Sequence, residues 1–312
     1  MGLSGTWNPD EVSTQHEQRA IAAFEAALEA GITFFDHADI YGGGSCESVF
    51  KKCLEAVPGS REKITIATKG SIGGGQFNAS YEYLDGALRR SMERLGVDYV
   101  DIYQIHRPDP LTHPRETAKF LNDVVRSGKV RHVGVSNYFP EQLRALQTYL
   151  DVPIVSNQFE IHLLRLDPVY EGWQVPQTSV YTQGGGGIGD GLLDQCMALD
   201  ITPLAYSPLA GGKLARFDDV KAEKSGGENG AKETKNIEAD VKAKLRELAP
   251  KYDATPSQIA IAWLLKHPSG IVPLVGSANP DHIREGAGAA KIELSRDDWY
   301  ELWKAGWGRN MP

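Results

Sequence analysis

Short apolar runs alternate with stretches of helical period along most of the chain. Residues 32–36 are the first such run. Ile32, Phe34 and Phe35 are β-branched or aromatic, as in a buried strand, and the run ends at Asp36 ahead of Gly42-Gly43-Gly44. Before it, Ser13 and Thr14 offer caps to a helix whose apolar stripe is Ile21, Phe24, Ala27 and Leu28, closed by Gly31. After it, a helix over 47–56 leads to a strand over 63–69, and a helix over 80–95, stopped by Gly96, leads to a strand over 99–106. The alternation continues with a helix at 115–126, a strand at 130–135, a helix at 140–149 and a strand at 154–156. A helix at 192–199, a strand at 202–206, helices at 238–252 and 256–266 and a strand at 270–275 follow. Helices near 280–290 and 295–305 close the chain.

With the chain starting almost inside a first strand at residues 1–7, this makes about eight strands, each followed by a helix. Strict alternation implies a parallel sheet, and eight units predict a single (β/α)8 TIM barrel over residues 1–312. An open doubly wound sheet is the alternative, but no strand leads into a helix through G-x-G-x-x-G. Two segments break the pattern, 162–191 and 208–237. Both follow strands, which places them on the carboxyl face of a barrel, where sites form. The first carries Tyr170, Trp173 and Tyr181, and the second is charged and glycine-rich over 218–236, a composition that suits a mobile segment.

Composition narrows the partners. A net charge of −8 without a basic patch speaks against nucleic acid, and no long apolar run suggests a membrane span or a leader peptide, so a cytoplasmic protein is expected. Cys46, Cys53 and Cys196 lack metal-ligand spacing, and no metal site is expected.

Polar groups collect where the strands end. Asp36 and Tyr41 follow one strand, Lys69 ends the next, and His106 the one after. Ser136 and Asn137, then Gln158, then Tyr206 and Ser207 end the following three. A barrel brings these together on one face. Their chemistry suits proton transfer to a developing alkoxide. An ammonium beside a phenol lowers the phenol's pKa, a carboxylate keeps the ammonium charged, and an imidazole donates to the substrate oxygen. Ser136, Asn137 and Gln158 suit a flat amide such as nicotinamide, with Tyr206 stacking on its ring.

The stretches HADIYGG at residues 37–43 and IHRPDP at 105–110 resemble a bacterial branch of the aldo-keto reductases, and the resemblance covers the chain from residue 1 to its end. It implies an NADPH-dependent carbonyl reductase, NADH also being admitted, acting on a small aldehyde or ketone. It implies a catalytic set of Asp36, Tyr41, Lys69 and His106, a carboxamide-binding set of Ser136, Asn137 and Gln158, and a stacking Tyr206. The chain departs from the family in two places. The β-hairpin that plugs the barrel before its first strand is expected to be absent. In the segment that holds the adenosine 2′-phosphate, Gly276 stands for a lysine and His282 for an arginine, while Ser277 remains and Arg284 is two residues further on. Two other readings stay open: a nucleotide-binding sensor with slow turnover, and a Schiff-base aldolase built on Lys69.

Overall fold

The computed structural model describes residues 3–170, 191–217 and 236–308. Seven parallel strands form one curved sheet: β1 (Phe34–Asp36), β2 (Thr65–Gly70), β5 (Val100–Ile105), β6 (Val130–Ser136), β7 (Ile154–Glu160), β8 (Thr202–Tyr206) and β9 (Val272–Pro273), neighbours in that order. Directly after β2, β3 (Ile72–Gly73) and β4 (Gln76–Phe77) make a small antiparallel hairpin at its carboxyl end. The helices are α1 (Thr14–Glu29), α2 (Ser45–Ala56), α3 (Tyr81–Leu95), α4 (Pro114–Arg126), α5 (Pro140–Gln147) and α6 (Asp167–Tyr170). They continue with α7 (Leu192–Leu199), α8 (Ile237–Leu248), α9 (Pro256–Leu265), α10 (Pro280–Gly288) and α11 (Arg296–Trp307).

The local causes are those the pattern suggested. Ser13 caps α1, accepting from the His16 amide while the His16 ring accepts from the Ser13 amide. Gly96 stops α3 in the left-handed region, at φ 66°. The strands are buried on both faces for most of their length, as parallel strands under a helical layer must be. Outside the sheet the core is aromatic: Phe24, Phe35 and Phe50 meet with ring centroids 5.0, 5.3 and 5.2 Å apart. On the far side Trp263 and Trp299 stack at 5.1 Å, each indole N–H donating to the other's carbonyl. Cys46, Cys53 and Cys196 are buried, and burial pushes the Cys53 and Cys196 thiols up to about 12.

The count of eight strands is corrected to seven in the main sheet among the described residues. Residues 3–7 form a turn, with Gly5 at φ 74° and Ser4 Oγ donating to the Thr6 carbonyl, a geometry that cannot enter a ladder. Beyond the outer strands β1 and β9, α1 and α10 pack on each other through Ala23, Ala27 and Ile283. The strand begun at 154 runs on to Glu160, since Gln158 lies inside the ladder opposite Leu204 and Ser136. Of the first long segment, His162 pairs with Arg165 ahead of α6; residues 171–190, with Trp173 and Tyr181, lie outside the described residues. Of the second, Leu214 is fully buried and residues 218–235 lie outside. Among the described residues no helix is long and apolar enough to cross a membrane, and no group of acidic, histidine or cysteine side chains is placed to hold a metal.

The interior is tight around Gly134 of β6. A Cβ there would lie 2.3 Å from Ser156 Oγ, 3.0 Å from Gln104 Cγ and 3.2 Å from the Ser156 carbonyl oxygen. Gly134→Ala is expected to destabilise the fold by about 1–3 kcal/mol through overpacking, read as a lowered thermal midpoint. An unchanged midpoint would mean that β6 and β7 can separate freely at this point.

Candidate functional site

Lys69 is the centre of the site. It is the penultimate residue of β2, wholly buried, and its Nζ donates to Asp36 Oδ2 at 2.6 Å and to the His37 carbonyl at 2.7 Å. Tyr41 Oη lies 3.4 Å from the same nitrogen, and the ammonium sits 5.0 Å from the centroid of the Tyr41 ring. The His106 ring meets Tyr41 edge-on, with centroids 5.9 Å apart. Asp36, Tyr41, Lys69 and His106, separated by up to 70 positions in the chain, are thus gathered at the carboxyl ends of β1, β2 and β5. Asp36 Oδ1 accepts from Gln158 Nε2 at 2.9 Å and Gln104 Nε2 at 3.2 Å.

Tyr41 stands on a turn made of glycine. The backbone leaves β1, returns through the Asp39 amide to the Lys69 carbonyl at 3.0 Å, and passes Gly42, Gly43 and Gly44 at φ 58°, 62° and 97° before α2. Three successive left-handed residues need glycine.

The electrostatics follow from the burial. Desolvation works against the Lys69 charge, but Asp36 and Tyr41 more than offset it and hold Lys69 above the ordinary lysine value. The Tyr41 phenol is raised, not lowered as the sequence suggested. Burial outweighs the pull of Lys69, and the Asp36 carboxylate adds to burial. His37 and His106 are both pushed down to about 3, first by burial and then by the Lys69 charge, so both imidazoles are neutral at pH 7. Asp39 is pushed up to about 7 by burial and by Glu47.

The second group of predicted residues adjoins the first. Ser136 Oγ donates to the Gln158 carbonyl at 2.9 Å, and Asn137 Nδ2 donates to Ser136 Oγ at 2.8 Å and to the His106 carbonyl at 3.4 Å. Tyr206 Oη donates to Asn137 Oδ1 at 3.2 Å. Gln158 gives its amide to Asp36, so it joins the two groups rather than standing with Ser136 and Asn137 alone. Ser207, at φ 52°, turns the chain out of β8, its carbonyl accepting from the Ala210 amide. Ser277, His282 and Arg284 lie apart, around the first turns of α10. Ser277 Oγ is 3.3 Å from His282 Nδ1 and accepts from the Asn279 amide, while Arg284 pairs with Glu29 at 2.9 Å and Asp281 at 3.5 Å.

Three members escaped the sequence reading. Gln104 shares its strand face with His106 two residues on, and that parity was the available signal. Arg107 follows His106. Its backbone amide donates to Ser71 Oγ at 2.9 Å, its carbonyl accepts from the same hydroxyl at 3.0 Å, and its guanidinium reaches the Tyr206 phenol. Glu47, fully buried on α2, had no signal in its local sequence.

Residues 2–305 match the Aldo/keto reductase family. The chain belongs to that family. It is 38% identical over 294 residues to the 6-dehydroglucose reductase of Novosphingobium aromaticivorans, covering 92% of this chain and 85% of the relative. Among solved structures it resembles the thermostable aldo-keto reductase Tm1743, crystallised with the inhibitor epalrestat. That match has a TM-score of 0.74 and 27% identity, over 97% of this chain and 92% of the other. It also resembles an aldo-keto reductase from Klebsiella pneumoniae in complex with NADPH, at a TM-score of 0.73 and 23% identity over 100% and 92% of the two chains. Membership implies the (β/α)8 barrel as the parent architecture of the seven strands seen.

The buried titrating groups make stability depend on pH in opposite senses. His37 and His106 bind protons more readily unfolded, so their contribution is complete above about 6.5 and is lost as pH falls toward about 3. Asp39 binds its proton more readily folded, so its contribution is complete at low pH and is lost as pH rises from about 4 to about 7. Asp39→Asn removes the second effect alone. Thermal melts between pH 7 and pH 4 are expected to show the midpoint of Asp39→Asn falling more steeply on acidification than the wild type's. Parallel curves would mean that Asp39 ionises freely in the fold.

Proposed function

We propose that this chain is an NADPH-dependent reductase of aldehyde and ketone carbonyls in which Tyr41 is the proton donor. The observation that carries the reading is the wholly buried Lys69, shared between Asp36 at 2.6 Å and Tyr41 at 3.4 Å. An ammonium beside a phenol prepares a site for phenolate, the state that a proton donor leaves behind.

The donor set fits the cofactor. Asn137 and the Ser136 hydroxyl offer an amide and a hydroxyl to a carboxamide, and the ring of Tyr206 stands beside them. Further out, Ser277 and the N-terminal turn of α10 suit a phosphate; Arg284 joins them only by leaving Glu29. When bound, the reduced nicotinamide supplies the hydride received by the carbonyl carbon. Tyr41 gives its proton to the carbonyl oxygen as negative charge develops there. Lys69 holds the resulting phenolate, and Asp36, fixed by Gln104 and Gln158, keeps the ammonium in place. His106, neutral, has an N–H available to the same oxygen and adds no charge of its own. A Schiff base on Lys69 fits poorly, because an amine held above its ordinary value by two partners stays protonated and is no nucleophile. A sensor without turnover gives no role to the alignment of Tyr41 with Lys69.

The substrate reading rests on Arg107. Among the described residues no carboxylate pairs with it, whereas the other cation near Tyr206, Arg165, is neutralised by Glu160 at 2.6 Å. A guanidinium at the mouth of the site suits an aldehyde that carries further oxygen atoms, hydroxyl or carboxylate. The activity named for the Novosphingobium relative, on an oxidised sugar, is of this kind.

Two measurements test these readings. Tyr41→Phe is expected to lower kcat on an active carbonyl by about 10²-fold or more while NADPH binding persists; near wild-type kcat would exclude Tyr41 as the donor. Arg107→Met is expected to lower kcat/KM about tenfold or more for polyhydroxylated and carboxylated aldehydes, with little change for an alkyl aldehyde of similar length. A uniform loss, or none, would remove Arg107 from substrate recognition.

A further inference from the structure

Behind β2, on the side of the sheet away from Lys69, lies an ion pair with one wholly buried and one half-buried partner, which the proposed chemistry does not use. Glu47 of α2 is wholly buried. Its Oε2 accepts from Arg94 Nε at 2.8 Å and its Oε1 from Thr68 Oγ1 at 2.6 Å. Thr68 and Lys69 are adjacent on β2 and point to opposite faces, so the pair is anchored on the same strand that carries the ammonium. Arg94, from the last turn of α3, also donates through Nη2 to the Asp39 carbonyl at 3.3 Å. It passes so close to Gly44 that a Cβ there would lie 2.4 Å from Nη1. One guanidinium thus touches both ends of the glycine turn that bears Tyr41.

We propose that Arg94 and Glu47 are positioning residues for the reaction, acting together as a clamp that fixes the reach of Tyr41 toward Lys69. The proposal rests on Tyr41 being the proton donor. Two features call for a clamp. A turn of three successive glycines has more conformational freedom than any other sequence, so its shape must be imposed from outside. The Tyr41–Lys69 distance of 3.4 Å is at the edge of a hydrogen bond, so a small shift of the turn breaks the contact. Stability alone does not call for the pair, because a buried ion pair is commonly no more stabilising than apolar residues of the same size. Its bonds run instead to the strand behind Lys69 and to the backbone around Tyr41. Asp39, whose carboxyl Oδ1 is buried without a partner, lies beside the clamp, faced by Glu47, Arg90, Arg94, Tyr83 and Tyr103. Its carboxyl also takes a hydrogen bond from the Ile40 amide, within the same turn.

The test compares the whole protein with Arg94→Met, Arg94→Lys, Glu47→Gln and Tyr41→Phe, measuring kcat on a carbonyl that the wild type reduces and NADPH affinity by fluorescence. Arg94→Met is expected to lower kcat about tenfold at a temperature where the variant is folded, with NADPH affinity unchanged. Arg94→Lys, which retains the partner for Glu47, is expected to recover part of the loss, and Glu47→Gln to lower kcat in the same direction by less. Unchanged kcat in folded Arg94→Met, a parallel loss of NADPH affinity, or an Arg94→Lys no better than Arg94→Met would overturn the clamp. Should Arg94→Met not fold, Glu47→Gln with kcat and NADPH affinity both at wild-type levels would overturn it equally. Tyr41→Phe separates the two readings: if it retains turnover, the proton-donor assignment fails, whereas an inactive Tyr41→Phe beside a fully active Arg94→Met sinks the clamp alone.

Discussion

A charged lysine with no exposed surface constrains everything around it. Removing Lys69 from water is costly, and the cost is met only by acceptors placed on several elements at once: Asp36 from β1, the His37 carbonyl beyond it, and the phenol of the following turn. The carboxylate needs its own donors, which come from Gln104 on β5 and Gln158 on β7. The pair therefore ties together four strands that are far apart in sequence. Losing one member of such a pair typically costs about 3–5 kcal/mol, because the other is left buried and uncompensated. Parallel strands allow this arrangement because all their carboxyl ends lie on the same side.

The same ammonium sets the protonation of its surroundings. Its field, acting with burial, keeps the imidazoles of His37 and His106 neutral, so no second cation competes for the carboxylate. His37 has its ring 4.3 Å from Phe50, in the aromatic core, and there contributes packing while its backbone carbonyl serves the lysine. The boundary between core and site thus passes through single residues.

What could be read beforehand was whatever obeys a local period. Asp36, Lys69 and His106 each end an apolar run, so their placement followed from counting strands, and so did the caps at Ser13 and Gly96. What could not be read depends on partners supplied by the fold. Gln158 looked like a ligand group because it ends a strand, yet its amide goes to Asp36, 122 positions away. Arg284 looked like a free cation, but Glu29, distant in sequence, meets it. The phenol was expected to be acidified by its lysine; the depth of burial, invisible in a sequence, reverses the sign. The first of the eight expected strands failed for a local reason, the left-handed Gly5, whose consequence is a turn instead of a strand.

A raised phenol pKa bears on the chemistry proposed here. Such a phenol is always loaded with its proton at neutral pH but gives it up only to a strongly basic oxygen. A ground-state carbonyl oxygen is a weak base and cannot take it; an oxygen acquiring alkoxide character can. Donation is then coupled to the arrival of the hydride, and a bound carbonyl that receives none stays unprotonated. Once the proton has left, the phenolate lies beside an ammonium already charged and already held, so no group need be recruited or reoriented to stabilise it. Lys69 and Asp36 alone form a neutral pair, and the donated proton leaves the three groups with one excess negative charge. The charge of Arg107, which acts on the neighbouring His106 imidazole, has the sign that opposes it. On the reading proposed above, Arg107 then serves the energy of the product state as well as the recognition of what enters.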